Sequence, residues 1–101
     1  MLHKVNVALQ VLPSSKEKHP YKIVDRAIEI IEVSGIKYRV CPFETVMEGE
    51  YDAIMDVIKK IQLECLNFGA ESMISFIKIQ INKYEDVTIE DKTAKYDKKQ
   101  G

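Results

Sequence analysis

Apolar and polar residues alternate from the start of the chain. Over residues 2–12, Val5, Val7, Leu9 and Val11 share one face, while Lys4, Asn6, Ala8, Gln10 and Leu12 share the other. A period of two predicts a strand with one apolar and one mixed side. Pro13-Ser14-Ser15 reads as its end, and residues 16–19 as a polar loop. Pro20 suits a first helical turn, where its missing N–H leaves nothing unpaired. Val24, Ala27, Ile28 and Ile31 then follow a helical stripe that Ile23 and Ile30 widen. Gly35, free to adopt a left-handed backbone, is the expected stop.

The stretch 38–51 organises the rest. Residues 38–41 and 44–48 read as short strands meeting at Pro42-Phe43, and Gly49 releases the chain into a second helix. That helix carries Tyr51, Ile54, Met55, Ile58, Ile61, Cys65 and Phe68 on one face and ends at Gly69. Residues 73–82 form another strand, with Ser75, Ile77, Ile79 and Ile81 on one side and Ile74, Phe76, Lys78 and Gln80 on the other. Thr88 is placed to cap a short helix through about residue 96, and the lysine-rich end is expected to fray.

Strand, helix, strand, strand, helix, strand predicts an α+β fold of ferredoxin-like βαββαβ type. Four antiparallel strands are then covered on one face by two helices, with a short C-terminal helix added. Residues 1–84 form the domain and residues 85–101 a helical appendage with a frayed tail. The first and third strands are central neighbours, so Asn6, Ala8 and Gln10 lie beside the strand 44–48. The uncovered face carries Leu12, Ile74 and Phe76, and the fourth strand is a long apolar edge. Such surfaces invite pairing. A homodimer or tetramer is expected unless the C-terminal segment covers that face.

Composition narrows the function. In 101 residues, 46% are hydrophobic and 31% charged, the balance of one globular domain. A net charge of −1 argues against a nucleic-acid grip. No apolar run approaches the roughly 18 residues of a membrane span, and the N-terminus lacks a signal-peptide layout, so a cytoplasmic location is expected. Cys41 and Cys65 lie far apart, without histidines at ligand spacing, and read as reduced thiols rather than a metal site.

No catalytic constellation has a recognisable spacing. Four scattered glycines make no phosphate loop, and His3 and His19 complete no triad. Glu44 and Glu48 on one strand lie about 13 Å apart at a ~3.3 Å rise, too far to share a proton. The chain is not expected to be an enzyme, and no cofactor is implied.

Glu44, Thr45 and Glu48 are unusual in an apolar hairpin. Either they face water on a half-buried sheet or they serve a site, since a buried carboxylate needs partners. With Asn6 and Gln10 they supply amide, hydroxyl and carboxylate groups, bordered by Phe43, Met47 and Tyr38. A small pocket of that kind suits a flat, amino-bearing heteroaromatic ligand, including a cationic one. Solvated amides on strand one and ordinary packing of Tyr38 and Phe43 are the competing readings.

Three segments carry a resemblance: 5–13, Val-Asn-Val-Ala-Leu-Gln-Val-Leu-Pro; 34–38, Ser-Gly-Ile-Lys-Tyr; and 42–50, Pro-Phe-Glu-Thr-Val-Met-Glu-Gly-Glu. Over residues 2–82 the chain resembles the small thiamine-binding proteins related to the YkoF group. The resemblance implies a ferredoxin-like homo-oligomer, commonly a tetramer made from dimers. It also implies non-catalytic binding of thiamine or its hydroxymethylpyrimidine moiety, for sequestration or delivery. Carried over, the ligand-binding positions are Asn6, Ala8, Gln10, Phe43, Glu44, Thr45 and Met47. Cys41 and Glu44 depart from the small residues expected there, and Glu44 either narrows the pocket or supplies an anionic partner. The alternative function is a regulatory or assembly module that uses the open sheet face.

Overall fold

The computed structural model describes residues 2–100, with side chains as far as residue 97. Its elements are β1 (Val5–Ser14), α1 (Pro20–Ser34), β2 (Lys37–Val40), β3 (Thr45–Gly49), α2 (Tyr51–Phe68), β4 (Ser72–Gln80) and α3 (Ile89–Gln100). The strands form one antiparallel sheet in the order β2-β3-β1-β4, with β1 and β3 central. This is the expected α+β, ferredoxin-like arrangement.

Both long helices lie where their apolar stripes predict. α1 begins at Pro20 and stops at Gly35, whose φ of 79° is left-handed. β-carbons raise the energy of that conformation, so glycine fits there. The alternating side of β1 (Val5, Val7, Leu9, Val11) packs with Ile23, Ala27, Ile31, Ile54, Ile58 and Ile61 as one core. Cys65 is fully buried in that core, with Sγ 3.7 Å from the Ile23 carbonyl oxygen. Burial pushes its thiol pKa up, outweighing the lowering effect of Arg26.

Strand ends differ from the sequence reading by one to three residues. β1 runs on through Pro13 to Ser14, where Pro13 pairs with Met73 and Ser14 with Ser72 of β4. On its other side, β1 pairs with β3 only as far as Leu9↔Thr45. Proline is tolerated where one edge of a strand is already unpaired. At the opposite end, Lys4 bonds the C-terminal segment instead. Its N–H meets Asp86 Oδ1 at 2.8 Å, and its carbonyl accepts the Val87 N–H at 2.9 Å.

The C-terminal segment folds back onto the sheet face opposite α1 and α2. Thr88 caps α3, accepting the Asp91 N–H at 3.1 Å, and Val87 and Ile89 are buried. Asn6, only 4% exposed, donates through Nδ2 to the Val87 carbonyl at 2.8 Å and accepts from Lys92 Nζ at 2.9 Å. Glu48 Oε1 accepts the Ile89 N–H at 2.7 Å, placing a carboxylate at the positive end of the helix. Polar residues inside an apolar hairpin are thereby explained at one of three positions. α3 runs to Gln100, past the point near residue 96 where the sequence placed its end and the start of a frayed tail. Leu12, Ile74 and Phe76 stay exposed beyond the reach of α3. Among the described residues, no helix is long and apolar enough to cross a membrane.

Candidate functional site

One end of the sheet gathers the last residues of β1, the start of α1 and the β2–β3 turn. Ser15 shapes the approach to α1, its hydroxyl accepting the Lys18 N–H at 3.1 Å. His19 Nδ1 then accepts the Tyr21 N–H at 3.2 Å and caps the helix. Across from it, the Cys41 N–H donates to the Glu44 carbonyl at 2.9 Å, holding Pro42 and Phe43 at the tip of the turn. Because β3 stops pairing at Leu9, residues 10–13 of β1 have no strand on that side.

The result is a cleft of about 400 Å³. Its walls come from β1 (Leu9 to Pro13), from α1 (Tyr21, Val24, Ile28) and from the turn (Val40 to Thr45). Tyr21 and Phe43 leave 74% and 80% of their surfaces open, so two aromatic residues stand at its edge. The polar groups among its lining side chains include the Gln10 amide, the Glu44 carboxylate and the Thr45 hydroxyl.

A second cavity of about 310 Å³ opens on the α3 side of the sheet. Ala8 and Val46, neighbours across β1 and β3, form part of its lining. Arg39 reaches it from β2, Lys78 from β4, and Lys92 and Thr93 from α3. Arg39 is held by Thr93 Oγ1 at 3.1 Å and by Asp97 Oδ2 at 3.1 Å. Lys78 Nζ lies 2.9 Å from Glu44 Oε1. Cys41 and Glu44 border both the cleft and this cavity.

The pleat of β3 divides the seven residues singled out in the sequence. Gln10, Phe43, Glu44 and Thr45 converge on the cleft. Asn6 and Ala8 line the second cavity, which Glu44 also touches. Met47 pairs with Val7 and Tyr38 on the helix-covered side, is fully buried, and lines neither space. Thr45 shares that inner side, facing away from Asn6, Ala8 and Gln10.

Sequence reasoning missed Tyr21, which it did not single out, and Val24 and Ile28, which it assigned to the apolar stripe of a helix. The available signal was topological: in this strand order, the start of α1 and the β2–β3 turn fall at the same end. Arg39, Lys92 and Thr93 were missed because only α3, folded against the sheet, brings them together. The described residues hold no cluster of three or more metal-ligating side chains.

Comparison with known proteins gives a consistent placement. A UPF0045 protein of Clostridium perfringens is 44% identical over 91 residues, covering 90% of this chain and 95% of its own length. The structure of a domain of unknown function, DUF77, from Bacillus cereus superposes with a TM-score of 0.90 at 41% identity, covering 94% and 91% of the two chains. A Thermotoga maritima protein, assigned provisionally to thiamine biosynthesis or salvage, gives a TM-score of 0.82 at 36% identity, over 92% and 98%. Residues 7–97 match the model of a family described as thiamine-binding protein. On these matches, the chain belongs to the thiamine-binding protein family.

Proposed function

We propose that this protein binds thiamine or its hydroxymethylpyrimidine moiety, without transforming it, and so sequesters or delivers it in the cytoplasm. One observation carries the reading. Gln10, Phe43, Glu44 and Thr45, from two strands and a turn, meet around a single mainly apolar cleft. Its volume lies in the usual range for small-molecule sites. An aminopyrimidine ring fits between apolar walls while its amino group and ring nitrogens meet the Gln10 amide at the open edge of the cleft. The thiazolium cation is favoured by the exposed aromatic faces and by the Glu44 carboxylate. Family membership and the thiamine-related assignment of the T. maritima neighbour support the same ligand class.

The absence of turnover is part of the proposal. Equilibrium dialysis followed by mass spectrometry tests it: thiamine and hydroxymethylpyrimidine should be retained and recovered unchanged. Recovery of a cleaved or modified product would make the protein an enzyme instead.

A second reading, an assembly module, is favoured by Leu12, Ile74 and Phe76, which remain exposed on one sheet face. On that reading the face joins copies of this chain into dimers or tetramers. The two readings are compatible if the cleft binds ligand while the open face assembles the oligomer.

A further inference from the structure

The cavity between α3 and the sheet has a character of its own. Its lining includes Arg39, Lys78 and Lys92 against the carboxylate of Glu44, with Asp97 paired to Arg39 just outside it, which leaves three cations facing two carboxylates. This cationic surplus is local, because the whole chain carries a net charge of −1. We infer that this cavity holds a phosphoryl group, either as inorganic phosphate or as the phosphate ester of the ligand in the adjoining cleft.

Each lysine is held by one partner, while Arg39 is held through both terminal nitrogens by Thr93 and Asp97. Lys92 Nζ bonds Asn6 Oδ1 at 2.9 Å, and Lys78 Nζ bonds Glu44 at 2.9 Å. A lysine ammonium has three donors and an arginine guanidinium five, so both lysines and Arg39 keep N–H groups beyond these contacts. The neighbouring partners fix where the charges sit and thus lower the entropy lost when an anion arrives. Three cationic donors around a small space suit the tetrahedral dianion of a phosphate monoester.

Space for it comes from the sequence of β1. Lys78 is opposite Ala8, and Val46 is opposite Ala8 on the other side. A methyl group at position 8 leaves room above the central strand that a longer side chain would fill. Glu44 and Cys41 form the boundary shared with the cleft. A thiamine monophosphate lying in the cleft with its ester end towards Cys41 and Glu44 would direct its phosphate into this cavity. The ester form of this inference rests on the thiamine reading; the inorganic form does not.

Calorimetric titration of the full chain with thiamine, thiamine monophosphate and inorganic phosphate tests it, at matched ionic strength in chloride. Lys78→Gln is the variant of choice, since Lys78 is exposed on an edge strand and its replacement leaves the core intact. Arg39→Gln is the second. Thiamine monophosphate should bind about tenfold or more tightly than thiamine, and either variant should remove most of that preference. Binding of inorganic phosphate alone, weakened by both variants, would identify the free anion as the occupant. If phosphate binds in that way and thiamine does not, the inference stands and the thiamine reading fails. Thiamine binding with no preference for the monophosphate, and no phosphate binding, overturns the inference and leaves the thiamine reading in place. Phosphate binding that both variants leave unchanged also overturns it.

Discussion

Asn6 and Lys92 stand 86 positions apart in sequence and meet at 2.9 Å over the open face of the sheet. Because Asn6 also bonds the Val87 carbonyl, one buried amide ties β1 to the whole C-terminal segment. Asn6→Leu strands the Val87 carbonyl and removes a partner of Lys92. Leaving buried polar groups unpaired costs about 1–3 kcal/mol, so the melting temperature should fall by several degrees. Hydrogen exchange at α3 should rise with it. An unchanged melt would show that the amide does not anchor this segment.

The anchor beside it depends on acid. The Lys4 N–H bonds Asp86 and, with a smaller contribution from His3, holds that carboxyl below its ordinary value of 3.8. A carboxyl whose folded pKa is depressed stabilises the fold above its unfolded pKa, and that contribution is lost as pH falls through the folded value. Asp86→Asn should therefore melt below the wild type near neutral pH and converge with it under acid, below about pH 4. A gap that persists unchanged into strong acid would contradict the assignment.

At the alkaline side the relevant group is Cys65. Its folded pKa is raised by burial, so its stabilising contribution is complete below the unfolded value and disappears as pH rises through the folded one. Native protein should show slow thiol labelling at Cys65, with the partly exposed Cys41 reacting first. Labelling of both at equal rates in the folded state would place Cys65 outside the core.

The exposed trio of Leu12, Ile74 and Phe76 predicts self-association. Phe76→Lys puts a charge in the middle of that patch without touching the helix-covered core. Sedimentation should show the wild type as a dimer or tetramer and the variant shifted towards monomer. A wild type that sediments as a monomer, or a variant that assembles as well as the wild type, would remove the patch from the interface.

Periodicity made most of the architecture legible. The 3.6-residue stripes of α1 and α2, ended by Gly35 and Gly69, placed both helices, and alternation along β1 and β4 assigned their faces. Pro13 misled because a proline usually ends a strand, whereas β1 has no partner beyond Leu9 on its hairpin side. The candidate site was only half legible. Gln10, Phe43, Glu44 and Thr45 meet at the cleft, but the pleat sends Met47 into the core and leaves Asn6 holding α3. Side-chain spacing cannot show that the C-terminal helix returns to the sheet. The contacts of Asn6, Arg39 and Glu48 with it join residues more than forty positions apart.

The cleft bears the central claim, and calorimetric titration of thiamine into the wild type and Phe43→Ala tests it most directly. Phe43 is largely exposed, so its truncation should leave the fold unchanged while removing an aromatic wall. Saturable binding by the wild type, weakened about tenfold or more in the variant, is the predicted result. No heat of binding at millimolar thiamine, or equal affinity in both proteins, would contradict the assignment of the ligand to this cleft.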